Sequence, residues 1–243
     1  MRPEARAALP ELRLATWNIH GSVGGDRLHD VERIVRVLRE IDADVVALQE
    51  VTPLALEVGV LRQVRDTLGL HIAPLPTHRK RDVDYGNALL SRFPFRKVTS
   101  IDLSVSAREP RNAIDARIDV HGHELRVVAT HLGLKPSERR VQVQRILAQF
   151  ENAPMGPAVV MGDVNEWYLL GRPLRWLHQR FAVTRAPATF PARRPMLKLD
   201  RIWAHPARAL TALAVHRSPL ARIASDHLPL VARFRFQPSV GGD

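Results

Sequence analysis

Short apolar runs that each end in a polar residue recur along the chain and predict buried strands. The first spans residues 12–17 and ends at Asn18, and the second spans residues 44–49 and ends at Glu50. Continuous apolar runs of this length are typical of strands that are covered on both faces. Later runs predict further strands at residues 88–90, 113–120, 125–130, 158–161, 201–204 and 230–236.

Helical spacing appears between these runs. Four apolar residues with charged residues between them follow the i, i+3, i+4, i+7 pattern of an amphipathic helix, namely Val31, Ile34, Val35 and Leu38. Helices are also expected over residues 54–68 and over residues 137–150, where Ser137 would be the N-cap. A hairpin is expected at residues 121–123. Strands joined both by helices and by hairpins imply mixed sheets covered by helices.

Composition narrows the class of protein. The 243 residues are 45% hydrophobic and include no cysteine, which argues against a disordered chain and against a disulfide-rich secreted domain. The sequence shows no linker and no long uncharged apolar stretch, so we expect one domain over residues 1–243 with flexible ends at 1–11 and 237–243. The first residues have no apolar core of a signal peptide, and we expect a cytoplasmic monomer.

The charge is strongly basic but unevenly placed. Of the net charge of +11, the whole excess lies in residues 172–235, which hold 13 Arg and Lys against two acids. The basic residues of the chain are 32 Arg and 4 Lys, a skew that a GC-rich coding bias would also produce. Any long-range attraction for an anion should therefore come from the last third of the chain.

Polar residues with metal-binding or acid–base chemistry border many of the apolar runs. Taken one at a time, each would more often be a helix cap or a turn residue. Together they are all acidic, amide or imidazole groups, which favours an oxygen-rich site for a hard cation such as Mg²⁺ or Mn²⁺. The eight are Asn18, Glu50, His131, Asp163, Asn165, Asp200, Asp226 and His227.

Six segments resemble, in order and approximate spacing, the signature of the endonuclease/exonuclease/phosphatase superfamily. They are TWNIHG (16–21), ALQEV (47–51), THLGL (130–134), GDVN (162–165), LDRIW (199–203) and SDHLP (225–229). The combination is specific, whereas GDVN alone would be weak evidence. The HLGL run, the segment ERRVQVQ (138–144) and residues 189–203 are more similar to a bacterial subgroup of small metal-dependent hydrolases, some like proteins associated with cardiolipin synthase.

The resemblance implies a fold and a metal site. The fold would be a four-layer α/β sandwich in which two mixed β-sheets pack face to face, with helices on the outer faces and a phosphoester-cleaving site at one edge. The cofactor would be Mg²⁺, with Mn²⁺ as a substitute. Glu50 is the expected direct ligand, Asn18 is expected as a neutral oxygen ligand or as a partner of the ligands, and Asp226 resembles a further ligand.

The resemblance also assigns roles in catalysis. Asp163 would orient and deprotonate the attacking water, and Asn165 would project to the same side if the backbone stays extended. His227 resembles the family histidine that contacts the phosphate, Asp200 the carboxylate that orients it, and His131 a second phosphate-binding imidazole. The group that protonates the leaving oxygen stays open, and a metal-bound water is one candidate.

Two further candidates complete the expected site. Arg111 would clamp a phosphate and Asn87 would face the site. Asp200 has an alternative, purely structural interpretation, in which it only forms an ion pair with Arg201 or Arg222.

The substrate is expected to be an anionic phosphoester. A small or lipid-derived phosphodiester is favoured, a nuclease acting on DNA or RNA is the alternative, and a catalytically silent anion-binding module is a third hypothesis. Abasic-site repair enzymes usually have an Asn-x-Tyr segment where this chain has a histidine, His131. Residues 171–198 contain Trp176, Phe181 and Phe190 and would stack bases, touch a membrane surface transiently, or pack in the core.

Overall fold

The computed structural model describes residues 9–80, 83–151 and 156–237. The predicted flexible ends lie outside these residues, apart from residues 9–11 and Gln237. The strands are β1 (Glu11–Asn18), β2 (Val45–Val51), β3 (His71–Lys80), β4 (Val83–Ser91), β5 (Phe95–Asp102), β6 (Asn112–Val120), β7 (His123–His131), β8 (Ala158–Asp163), β9 (Asp200–His205), β10 (Leu210–Val215) and β11 (Leu230–Arg235). The α-helices are α1 (Val31–Ile41), α2 (Gly59–Leu68), α3 (Pro136–Ala148), α4 (Arg172–Phe181) and α5 (Ala221–Ala224).

The strands form two mixed sheets. The first has the order β10-β11-β1-β2-β4-β3 and the second has the order β5-β6-β7-β8-β9. Two pairs are parallel, β1 with β2 and β7 with β8, and the other pairs are antiparallel. In each parallel pair the two strands end at the same edge of their sheet.

Successive side chains of each central strand point to opposite faces of the sheet. One face packs in the core between the two sheets, and the other packs in a core beneath the helices. In β1, Leu14 points into the core between the sheets, whereas Trp17 packs on the helix side. The core between the sheets also contains Ile114 and Met161 from the second sheet. Helices α1 and α2 cover the outer face of the first sheet, and α3 and α4 cover that of the second. This arrangement is the predicted four-layer sandwich, and coverage on both faces explains the continuous apolar runs.

Two predicted helix boundaries are wrong. Helix α2 begins at Gly59 rather than at residue 54, because Gly59 has a left-handed φ of 62° that a helix running through it could not accommodate. Helix α3 begins at Pro136 with Lys135 as its N-cap, so Ser137 lies inside the first turn. Proline is favoured at the first helical position because its fixed φ is helical and its missing N–H leaves no donor unpaired.

None of the helices in the described part of the chain is long and apolar enough to cross a membrane.

Candidate active site

One edge of the sandwich collects the ends of four buried strands. Strands β1 and β2 end at or next to Asn18 and Glu50, and the second parallel pair, β7 and β8, ends at His131 and Asp163. Strand β9 runs the other way, so Asp200 at its start lies beside Asp163 in the register. Both sheets therefore contribute side chains to one place, and the buried strands hold those side chains rigidly.

Asn18 joins the two sheets through its side-chain amide. Its Nδ2 donates to Glu50 Oε1 at 2.9 Å and to Asp163 Oδ2 at 3.1 Å. Its Oδ1 accepts from the backbone N–H of His20 at 3.0 Å, which fixes the orientation of the amide. Asn18 thus presents N–H groups to the site, and of its two expected roles the geometry favours the partner of the ligands.

Glu50 has an unusual backbone. Its φ is 56°, and the pairing of β2 with β4 shifts register between Leu48 and Val51. Such a bulge re-aims a side chain and is common beside functional sites. The carboxylate is 24% exposed, and it accepts a hydrogen bond from the Tyr85 hydroxyl. Burial and the charge of Glu50 raise the pKa of Tyr85, which keeps that hydroxyl a donor.

Asp163 lies at the centre of the cluster and is 1% exposed. Its Oδ2 is 3.7 Å from Nε2 of His131 and 3.7 Å from Nε2 of His227. Burial raises the pKa of this carboxyl to about 6, against the opposing charge of His227.

Asn165 was expected to project to the same side as Asp163 only if the backbone stayed extended, and it does not. Its φ is 49°, in the left-handed region that asparagine tolerates better than most residues. Its N–H donates to Asp163 Oδ1 at 3.0 Å, and its Nδ2 donates to the carbonyl of Leu132 at 2.9 Å. The residue therefore supports the Asp163 carboxylate through its backbone.

Asp200 and His227 form a buried pair. Asp200 Oδ2 is 2.9 Å from His227 Nδ1 and accepts from Thr189 Oγ1 at 2.5 Å. Burial alone would lower the pKa of His227, but the charge and hydrogen bond of Asp200 raise it to about 10. The ring of Phe190 packs on the His227 ring with centroids 4.8 Å apart. His227 therefore faces Asp163 as an imidazolium.

His131 has the opposite protonation state. Burial, together with the charges of Arg111 and His227, lowers its pKa well below the usual value. Arg111 Nη1 lies 3.1 Å from Nδ1 of His131. Because a guanidinium can only donate, Nδ1 must be the acceptor, and the proton of the neutral ring is on Nε2. His131 thus offers a neutral N–H donor towards Asp163.

The other two nitrogens of the Arg111 guanidinium, Nη2 and Nε, determine whether it can still bind a phosphate. Nη2 donates to Glu109 at 2.5 Å, and its Nε is buried with no partner among the described residues. Two of the three nitrogens that a phosphate clamp would use are already engaged.

Asn87 and Asp226 lie at the margin of the cluster. Asn87 is buried and donates to Asn112 Oδ1 at 3.4 Å. Asp226 is half-buried, accepts from Ser225 Oγ at 3.3 Å, and its charge helps to raise the pKa of His227. Within the described part of the chain, their side-chain hydrogen bonds are to Asn112 and Ser225 and not to Glu50 or Asp163.

The donor set fits a hard divalent cation. Carboxylates outnumber the cationic groups that face them, since Arg111 already pairs with Glu109 and His227 is the other cation. Asp163, Asp200 and His227 bring one potential ligand atom each within 4.8 Å of one another. Asp200 and His227 are hydrogen-bonded to each other. Glu50 and Asp163 are therefore the carboxylates that remain available to bind a cation.

Residues 171–198 do not form one loop. Residues 172–181 are helix α4, and Phe181 is buried in the outer core of the second sheet, where Trp176 packs against it. Core packing is therefore the correct interpretation for these two aromatics. Phe190, in contrast, contacts His227.

Two residues of the site were not predicted, Tyr85 and Thr189, and Phe190 was expected only as one of the aromatics of residues 171–198. Thr189 and Phe190 lie in the segment TFP (189–191) that precedes β9, and Tyr85 precedes Asn87 on β4. The resemblance of residues 189–203 to the bacterial subgroup is the signal that could have indicated Thr189.

Comparisons with known proteins agree with this fold. Residues 15–227 match the model of the Endonuclease/Exonuclease/phosphatase family. The uncharacterized protein YbhP of Escherichia coli (strain K12) is 32% identical over 242 residues, covering 90% of this chain and 94% of YbhP. The crystal structure of an endonuclease/exonuclease/phosphatase from Beutenbergia cavernae is 24% identical with a TM-score of 0.73, covering 93% of this chain and 72% of that one. The human Nocturnin catalytic domain is 22% identical with a TM-score of 0.73, covering 94% and 96%.

Proposed function

Because this chain belongs to the endonuclease/exonuclease/phosphatase family, we propose that it is a metal-dependent phosphodiesterase that cleaves its substrate by in-line attack of water. One observation carries the proposal. A buried carboxylate, Asp163, lies 3.7 Å from Nε2 of a charged histidine and 3.7 Å from Nε2 of a neutral one. A carboxylate between two N–H donors can accept a proton while the donors hold the oxygens of a phosphate.

The cation is proposed to be Mg²⁺, with Mn²⁺ as a substitute. Glu50 would hold it, Asn18 would position the Glu50 carboxylate, and Asp226 would approach it from the loop before β11. Few protein ligands suit Mg²⁺, which keeps several waters and takes phosphate oxygens from the substrate. When bound, the cation supplies charge stabilisation for the phosphorus oxygens.

The residues of the chain divide the remaining tasks. Asp163 accepts the proton of the attacking water, and the Asn165 backbone and the Asn18 amide hold its two oxygens in place. His227, kept protonated and oriented by Asp200, donates a charged hydrogen bond to the phosphate. His131 donates a neutral one through the tautomer that Arg111 fixes.

The proposed substrate is a small or lipid-derived phosphodiester. A nuclease and a silent anion-binding module are the competing outcomes. A nuclease would degrade plasmid or single-stranded DNA with a rate that falls steeply as salt is added. A silent module would bind phosphate tightly and turn over no phosphodiester.

The test is hydrolysis of bis(p-nitrophenyl) phosphate with and without Mg²⁺ or Mn²⁺. We expect turnover that requires the cation and that falls by at least about a hundredfold in Glu50→Gln and in Asp163→Asn, since each variant removes a charge that the reaction uses.

Matched variants control for the change of residue type. Glu124→Gln and Asp66→Asn alter exposed carboxylates outside the site and should keep the wild-type rate. Wild-type rates in folded Glu50→Gln or Asp163→Asn would show that the site assignment is wrong. Degradation of DNA at low salt, without turnover of glycerophosphodiesters or phospholipids, would show that the substrate is a nucleic acid and not a small or lipid-derived phosphodiester.

A further inference from the structure

Two loops beside the candidate site carry exposed apolar side chains. The loop after β8 exposes four in succession, and Leu170, in the turn before α4, is 87% exposed. The loop after β7 exposes Leu134, which is 60% exposed. We call these five residues the apolar rim, namely Leu134, Trp167, Tyr168, Leu169 and Leu170. Clusters of exposed apolar residues mark interaction sites, whereas single ones are common on any protein surface.

The rim is held rigidly from beneath by one buried arginine. Arg139 on α3 is fully buried and donates from Nε and Nη2 to the two carboxylate oxygens of Glu166, both at 3.1 Å. Its Nη1 donates to the carbonyl of Leu134 at 2.6 Å, and its guanidinium lies 4.9 Å from the centroid of the Trp167 ring. A single side chain thus joins both loops, so their apolar residues are presented on a fixed support.

The rim lies at the edge that holds the site. Strands β7 and β8 are parallel, and His131 is paired with Asp163 in their register. The two loops continue directly from these residues, so they leave the sheet at the same edge as the histidine and the carboxylate. Anything that contacts the rim is therefore next to the site.

Basic residues flank the rim without pairing. Lys135 follows Leu134, and Arg172 and Arg175 lie in the first turn of α4, which begins two residues after Leu170. All three are exposed, and none forms an ion pair with a described residue. A helix N-terminus favours acidic side chains, so helix stability does not account for the two arginines.

We propose that the apolar rim inserts into the interfacial layer of an anionic phospholipid bilayer, where Lys135, Arg172 and Arg175 contact the headgroups. Tryptophan, tyrosine and leucine beside basic residues are the side chains that bind such an interface. The inference rests on the proposed function in one respect, because the docked rim would bring a headgroup phosphodiester to Asp163 and the two histidines.

The experiment is sedimentation with vesicles in EDTA, so that no turnover is needed. The wild-type protein should pellet with vesicles of equimolar phosphatidylcholine and phosphatidylglycerol and not with vesicles of phosphatidylcholine alone. Leu169→Ser with Leu170→Ser should weaken binding by at least about tenfold, since two leucines no longer leave water. Arg172→Gln with Arg175→Gln should weaken it as well and reduce its salt dependence.

The control replaces two exposed valines elsewhere, Val98→Ser with Val183→Ser, and should bind as the wild type does. Three results would overturn the inference: no binding to anionic vesicles, equal binding by the leucine and valine variants, or rim-dependent binding of single-stranded DNA or self-association in place of vesicle binding. The chromogenic assay judges the proposed function separately. Vesicle binding without turnover of bis(p-nitrophenyl) phosphate would support membrane binding by the apolar rim and contradict the proposed phosphodiesterase activity.

Discussion

At the scale of single residues, the two histidines show how a neighbour at Nδ1 sets the state of a ring. Both point Nε2 at the same oxygen of Asp163. Arg111 at Nδ1 of His131 forces that nitrogen to accept, whereas Asp200 at Nδ1 of His227 requires it to donate. The site therefore holds one neutral and one charged donor, although the same residue type faces Asp163 from both sides.

This pairing predicts an unusual titration of His227. Its folded pKa of about 10 lies above its ordinary value of 6.5, so the pair stabilises the fold fully below that ordinary value and loses its effect as the pH rises through about 10. In nuclear magnetic resonance spectra of the metal-free protein, the ring should be charged at about pH 8 and become neutral there in Asp200→Asn. His131 should stay neutral over the same range. A wild-type His227 that titrates near its ordinary pKa would contradict the assignment.

The residues that sequence could identify are those that stand at the ends of apolar runs within local motifs. Asn18, Glu50, Asp163 and His227 all lie in the cluster as expected. Tyr85 could not be found in this way, because its contact with Glu50 depends on how β4 pairs with β2. A residue type that is common in strands gives no signal until its partner is known.

At the scale of elements, buried strands are easier to predict from the sequence than exposed ones. The central strands were predicted, whereas β3, β5 and β10 were missed. All three lie at sheet edges. Prolines interrupt β3, and β5 is mostly exposed and polar, whereas β10 was missed although it is rich in apolar residues, which are largely unburied. Edge strands need no cover on their outer side, so the signal that predicts a strand is weakest where pairing with one neighbour is enough.

The buried pair between α3 and the loop after β8 predicts a large effect on stability. Arg139→Met should lower the free energy of unfolding by about 3–5 kcal/mol, because Glu166 would stay buried without its partner. Arg139→Met combined with Glu166→Gln should recover part of that loss. Urea unfolding followed by circular dichroism measures both values.

Arg117→Met provides the comparison for this pair. It removes a partner from the exposed ion pair with Glu124, and such pairs contribute about 0–1 kcal/mol. Equal losses in Arg139→Met and Arg117→Met would show that the buried pair does not hold the two loops.

At the scale of the whole molecule, part of the basic excess of residues 172–235 lies away from the site. Arg233 and Arg235 pair with Glu11 on the strand next to β11, and Arg201 is buried. Arg193 and Arg194 directly follow Ala192, whose N–H donates to the carbonyl of Asp226 at 2.7 Å, so their backbone runs beside Asp226. The net charge of the segment therefore overstates the field that a substrate would meet.

Two double variants with the same change in net charge separate a local field from the total. Arg193→Gln with Arg194→Gln should lower kcat/KM for the anionic bis(p-nitrophenyl) phosphate by about threefold or more at low salt, whereas Arg233→Gln with Arg235→Gln should change it little. The difference should vanish towards 1 M salt, where the screening length falls from about 10 Å to about 3 Å. Equal losses in the two variants would mean that the charge of the whole molecule, and not its placement, attracts the substrate.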